Sequence, residues 1–282
     1  MNFYKERNLK MKLSHLFSAL LVSAVLTAPL AAAEAAAKEP AKAPAKAPAK
    51  KAPKKAKAPA KKLTLEEEIK VTTTPVQSAK RHAPRHIAKK AYAAANKDKI
   101  KIVMLGDSIT HQWERPSAAP AAKKYLEPYG VLNLGCGGDR TQHTLWIVEK
   151  SGILDPVKPK LVTLMIGTNN RNHYQATAAG VKRILESVRK RYPETPILLY
   201  AIFPRGADSK NALRIVNDKV NAEIVKLCNG KDIIWVDIRK NFLEADGTLT
   251  KAMMPDYLHP RNVKGYTVWG ESLKPYFEKY GK

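Results

Sequence analysis

The chain has 282 residues, enough for one large domain or two small ones, and its 50 Lys and Arg against 25 Asp and Glu give a formal charge of +25. Two cysteines, Cys136 and Cys228, exclude a disulfide framework, which a domain of this size does not need; both are expected as free, mostly buried thiols. So basic a chain points toward anionic partners without saying anything of its fold.

The first 37 residues read as an export signal. Lys10 and Lys12 precede the 15-residue apolar run Leu16–Leu30, "LFSALLVSAVLTAPL", and small residues follow, "AAAEAAA". A spanning helix needs about 20 residues, and Pro29 breaks this run, so no integral span is expected in the mature protein. An uncleaved anchor is the alternative. Met11 opens a more usual signal than Met1, and no cysteine follows closely enough to carry a lipid. The expected location is periplasmic or extracellular.

Residues 38–62, "KEPAKAPAKAPAKKAPKKAKAPAKK", hold ten Lys and one Glu, a charge of +9, while residues 1–37 carry +2 and residues 63–282 carry +14. Repeated Lys, Ala and Pro cannot bury a core, and Pro blocks helix propagation, so this stretch predicts an extended, solvated linker. It serves either as a spacer or as a grip on an anionic polymer through counterion release. Residues 63–97 are polar, lack a clear apolar period, and predict a lead-in with one helix near "HIAKKAYAAANK". "HAPRH" puts His82 and His86 four apart, the spacing of a helical metal pair. Pro84 between them and the lack of an obvious third ligand favour solvated histidines.

The catalytic domain is expected over 98–282. Five apolar runs recur there, "IKIVMLG", "GVLNLG", "KLVTLMIG", "PILLYAIFP" and "DIIWVDI". Amphipathic segments fall between them, such as "RTQHTLWIVEK", "ATAAGVKRILESVRKRY" and "SKNALRIVNDKVNAEIVKLC". Continuous apolar strands alternating with helices predict an α/β fold, a three-layer doubly wound sandwich around a mostly parallel five-stranded sheet. In such sheets reactive groups sit beyond the carboxyl ends of the strands.

After the first run comes "GDSIT", with Ser108 where strand turns into helix. It is either a helix cap or a nucleophile whose own N–H helps bind an oxyanion. After the second comes "NLGCGGDRT", where Gly138 offers an unobstructed N–H, or the glycines only make a tight connection capped by Asp139. Cys136 reads as packing, since nothing nearby would lower its pKa. After the third comes "MIGTNNRN", with Asn169 as a side-chain donor to an oxyanion and Asn170 and Asn172 as turn formers. Near the end, "MMPDYLHPRN" spaces Asp256 and His259 three apart between Pro255 and Pro260, close enough for the carboxylate to orient the imidazole. His111 with Glu114 and His143 with Asp139 read as ordinary contacts within helices, and His173 has no acid close by in the sequence.

These blocks together resemble the SGNH (GDSL-type) hydrolases over about Lys97 to Tyr280. The blocks are "GDS" at Gly106–Ser108, the glycine block at Gly138, "GTNN" at Gly167–Asn170 and "DYLH" at Asp256–His259. Within that family "LNLGCGGDRTQHTLW", "IFPRG" and "DYLHP" are most similar to the platelet-activating-factor acetylhydrolase subunit branch. The broad family has Asp after its Asn where this chain has Asn170, a feature of that branch. The resemblance implies a flavodoxin-like sheet and hydrolysis of small-acyl esters, acetyl above all, through an acyl-enzyme. It assigns Ser108 as nucleophile, His259 as base, Asp256 as its orienter, and Ser108, Gly138 and Asn169 as the oxyanion hole. This chemistry requires no metal or organic cofactor. An acetylated glycan is the expected substrate; a lipid ester of the lysophospholipid kind, a polyanion-binding protein with a vestigial site, and an acyltransferase are the rivals. Oligomeric state is not legible.

Overall fold

The computed structural model describes residues 62–171 and 173–282. The expected export signal, the expected linker except the exposed Lys62, and Asn172 lie outside the described residues.

All five apolar runs are strands: β1 (Ile102–Gly106), β2 (Val131–Asn133), β3 (Leu161–Met165), β4 (Ile197–Tyr200) and β5 (Ile233–Val236). Every pairing is parallel, in the order β2-β1-β3-β4-β5. That is the flavodoxin-like order of a doubly wound sheet. The strands are predominantly apolar because helices cover both faces. Successive residues point to opposite sides, and two separate cores result. Val103, Leu105, Val162 and Leu164 join α5 (Thr141–Glu149), α6 (Tyr174–Arg191) and α7 (Ala212–Ile224) in one core. Ile102, Met104, Leu161 and Met165 join α4 (Ala119–Tyr125) and α8 (Val263–Tyr280) in the other. In the second core Trp113 lies 4.5 Å from Tyr266 and 5.5 Å from Trp269, ring to ring. Tyr266 Oη donates to Ile109 O at 2.9 Å and so fixes α8 to the turn that follows β1.

Residues 63–97 hold two helices rather than one. The expected helix is α2 (Ala83–Ala95), with Pro84 in its first turn, where a missing N–H costs nothing. The other is α1 (Leu65–Thr73), opened by a capping box between Thr64 and Glu67 and packed against α5 and α6. Thr72 Oγ1 donates to Ala176 O at 2.7 Å, and Thr141 Oγ1 donates to Thr72 O at 3.2 Å.

Pro84 also separates the two histidines. His82 precedes α2, and His86, within it, is buried against Trp146 with ring centroids 5.2 Å apart. The expectation of solvated histidines is therefore wrong: both rings face protein, because the polar segment lies on the domain rather than in water.

Candidate active site

The turn after β1 is built by Asp107, not by Ser108. Asp107 Oδ1 accepts the Ile109 N–H at 2.9 Å and caps the single-turn α3 (Ser108–His111). The Ser108 hydroxyl is thereby released from capping. It lies 2.8 Å from His259 Nε2, and His259 Nδ1 lies 2.7 Å from Asp256 Oδ2. Asp256 Oδ1 also accepts the backbone N–H groups of Leu258 at 3.2 Å and His259 at 2.8 Å. Tyr257, between them, takes the left-handed conformation with φ 54°, which folds the carboxylate back onto the ring three residues on. Its carbonyl is held by the Gly206 N–H at 2.8 Å. Arg261 Nη2 reaches Asp256 Oδ2 at 3.3 Å.

Burial lowers the His259 pKa, and the bond and charge of Asp256 offset that only in part. Asp256 is pushed up by burial, yet the His259 side-chain and backbone bonds outweigh this and hold it below the ordinary carboxylate value. The ring is thus a neutral base with an ionised partner at pH 7.

The glycine block leaves β2 and packs on α3. A Cβ on Gly135 would lie 2.7 Å from the Thr110 carbonyl carbon, so only glycine permits this approach. Gly138 is exposed with φ +80°, a conformation that suits glycine. Among the described residues neither the Gly138 N–H nor the Ser108 N–H meets an acceptor. Asn169 Nδ2 donates to Asp139 O at 3.0 Å, which ties the asparagine block to the glycine block and leaves one amide hydrogen unspent. Asn170 sits in the expected turn, but its buried side chain does more. Its Oδ1 accepts the Thr141 N–H at 3.1 Å and its Nδ2 donates to Thr141 Oγ1 at 2.9 Å. The start of α5 is therefore capped from the neighbouring loop, and Asp139 does not cap it.

Several residues here were given no role by the sequence. Arg205, buried after β4, donates to Thr168 O at 2.9 Å and Thr168 Oγ1 at 3.0 Å and so braces the asparagine block. Residues 78–85 strap the glycine block from outside. Ser78 Oγ donates to Asp139 Oδ1 at 2.7 Å, and His82 Nε2 lies 2.8 Å from Gly137 O. Arg85 donates from Nε to Gly135 O at 2.9 Å and from Nη2 to Asn133 O at 3.2 Å. Such partners, some 50 residues away along the chain, are invisible to spacing.

The competing histidines do not join the serine. His111 is pushed down to about 4 by burial and the Arg85 charge, and Glu114 pairs with Arg85 and Lys89 instead of with it. His143 also falls to about 4 on burial, 3.7 Å from Asp139. His173 does have an acid, Glu68 of α1 at 2.8 Å, which the sequence had not suggested. Cys136 and Cys228 are free; Cys136 is fully buried and burial pushes its thiol up to about 12, which suits packing rather than nucleophilic attack. Among the described residues one cluster brings three candidate cation ligands together, His82, Cys136 and Asp139, within 4.8 Å of one another. His82 thus has the partners that its own flanks lacked.

A model described as the GDSL-like Lipase/Acylhydrolase family matches residues 104–268. The chain is 34% identical over 209 residues to the human (Homo sapiens) platelet-activating factor acetylhydrolase IB subunit alpha1, covering 72% of this chain and 86% of that protein. Its fold matches a GDSL-like lipase from Bacteroides thetaiotaomicron with a TM-score of 0.54 at 20% identity, covering 69% of this chain and 98% of that one. It also matches a catalytic mutant of an acetylxylan esterase from Geobacillus stearothermophilus, with a TM-score of 0.50 at 17% identity over 63% of this chain and 94% of that one.

Proposed function

Since the chain belongs to the GDSL-like lipase/acylhydrolase family and is a carboxylic ester hydrolase, we propose that it is a serine esterase that removes small acyl groups, acetyl above all, through an acyl-enzyme on Ser108. The observation that carries this reading is the unbroken line from Ser108 Oγ through His259 to Asp256, at 2.8 Å and 2.7 Å.

His259 Nε2 takes the hydroxyl proton as Ser108 Oγ bonds to the ester carbonyl carbon. The carbonyl oxygen becomes an oxyanion, received by the Ser108 and Gly138 N–H groups and the free hydrogen of Asn169 Nδ2. Collapse breaks the bond to the alcohol, which leaves with the proton from His259. Water then repeats the sequence against the acyl-enzyme, releasing the acid. Asp256 holds the tautomer and supports the imidazolium.

Acetyl is favoured by the relatives named acetylhydrolases, and an acetylated glycan outside the cytoplasm by the export signal read over residues 1–37. An ester of the platelet-activating-factor kind is the second reading, since the same relatives are named for it. Replacing Ser108 by Ala is expected to reduce hydrolysis of 4-nitrophenyl acetate by about 10³-fold or more, with thermal unfolding unchanged. Undiminished, Ser108-independent turnover would overturn the assignment. A panel of acetylated glycans and acetyl phospholipids then separates the two substrates.

A further inference from the structure

The strap does more than hold the glycine block, because it carries a charge to the edge of the site. Arg81 lies between two anchors, Ser78 on Asp139 and His82 on Gly137. Its guanidinium stands over Gly138, since a Cβ on that glycine would end 3.4 Å from Arg81 Nη2. Three other guanidiniums near the site are occupied. Arg85 pairs with Glu114, Arg205 bonds Thr168, and Arg261 bonds Asp256 and Gln112. Arg81 is exposed and, among the described residues, has no hydrogen-bond or ion-pair partner. The buried carboxylate of Asp139 feels its charge but does not bond it. An unspent guanidinium standing beside the oxyanion hole is a receptor for paired anionic oxygens.

We infer that Arg81 recognises an anionic group on the ester, and that the preferred substrates are acetyl esters whose alcohol carries such a group, as an O-acetylated acidic sugar does. The inference rests on the serine-esterase reading above. An acetyl group has no place for a charge, so the anion belongs to the alcohol half. Arg115, just after α3, and Arg261, two residues beyond His259, also bear positive charge on His259, so the field from these groups favours the same sign.

The test uses the full chain and three aryl acetates: methyl 4-acetoxybenzoate, which is neutral, 4-acetoxybenzoate, and 4-acetoxyphenyl phosphate. Intrinsic reactivity differs among them but cancels when the kcat/KM ratio of charged to neutral ester is compared between wild type and variant. That ratio is expected to fall about tenfold in Arg81→Gln, further in Arg81→Glu, and less in Arg81→Lys. In the wild type it should shrink as salt is raised, a readout that needs no variant. Which charged ester loses more tells whether carboxylate or phosphate is the natural group. A ratio unmoved in Arg81→Glu, or an equal fall for neutral and charged esters, overturns the inference while leaving the esterase reading intact. Persistence of all three activities in Ser108→Ala would instead strike that reading.

Discussion

His259 is buried, and burial opposes its charged form more strongly than Asp256 favours it. The sign for catalysis follows. The base acts when neutral, and a lowered pKa keeps it neutral to lower pH. The acidic limb of kcat/KM is therefore expected to have its midpoint below the ordinary histidine value of 6.5, with activity level by neutrality. Asp256→Asn removes the bond and charge that raise the pKa, so the limb moves further down. The plateau falls by about 10²-fold or more, because the imidazolium formed in the transition state loses its partner. A pH–rate profile of both proteins reads the two movements separately, and a limb centred at or above 6.5 in the wild type would contradict the lowered pKa. These residues were legible in the sequence because the chemistry repeats locally, Asp three before His and Ser at a strand end. Asp107 was not. Its adjacency to Ser108 hid that it takes over the cap and frees the hydroxyl.

Among elements, the strap is where stability and catalysis meet. Arg85 is 15% exposed and spans two carbonyls of the glycine block and one carboxylate, Glu114, which Lys89 also holds. Arg85→Ala leaves those carbonyls without their charged donor, a loss of about 2–3 kcal/mol, or roughly 5–10 °C in Tm for a domain of this size. Because Gly138 rides on the same loop, kcat should fall along with Tm. Lys89→Ala touches only Glu114 near the surface and is expected to cost under about 1 kcal/mol, with kcat unmoved. Calorimetry and kinetics on the two variants check the contrast. The five strands and α5 to α7 were readable because apolar period alone specifies them. The α1 helix was not, since its polar sequence lacks that period and only the Thr64 to Glu67 spacing marked it. The strap's bonds are long-range and polar, which no periodicity encodes.

At the scale of the whole molecule, charge divides what the sheet unites. Residues 1–62 carry 14 Lys and Arg and three acids, +11 of the +25, and residues 63–282 keep +14. The two cores, the strap and the four loops of the site all lie within the second part, so a form lacking residues 1–62 keeps every contact described for Ser108, His259 and Gly138. Its Tm and its kcat/KM on a neutral aryl acetate are expected to equal those of the full chain. Affinity for a polyanion should behave otherwise. Each lysine that displaces a counterion from duplex DNA adds about 0.9 to the slope of log Kobs against log salt, so ten lysines in residues 38–62 add up to about nine. If the segment grips polyanions, the truncated form binds a DNA duplex with a much shallower slope while its esterase activity is intact. If the segment is a spacer, the slopes coincide, and the polyanion is held by the folded part, where Arg81 stands at the active site and a charged glycan would compete with DNA for it.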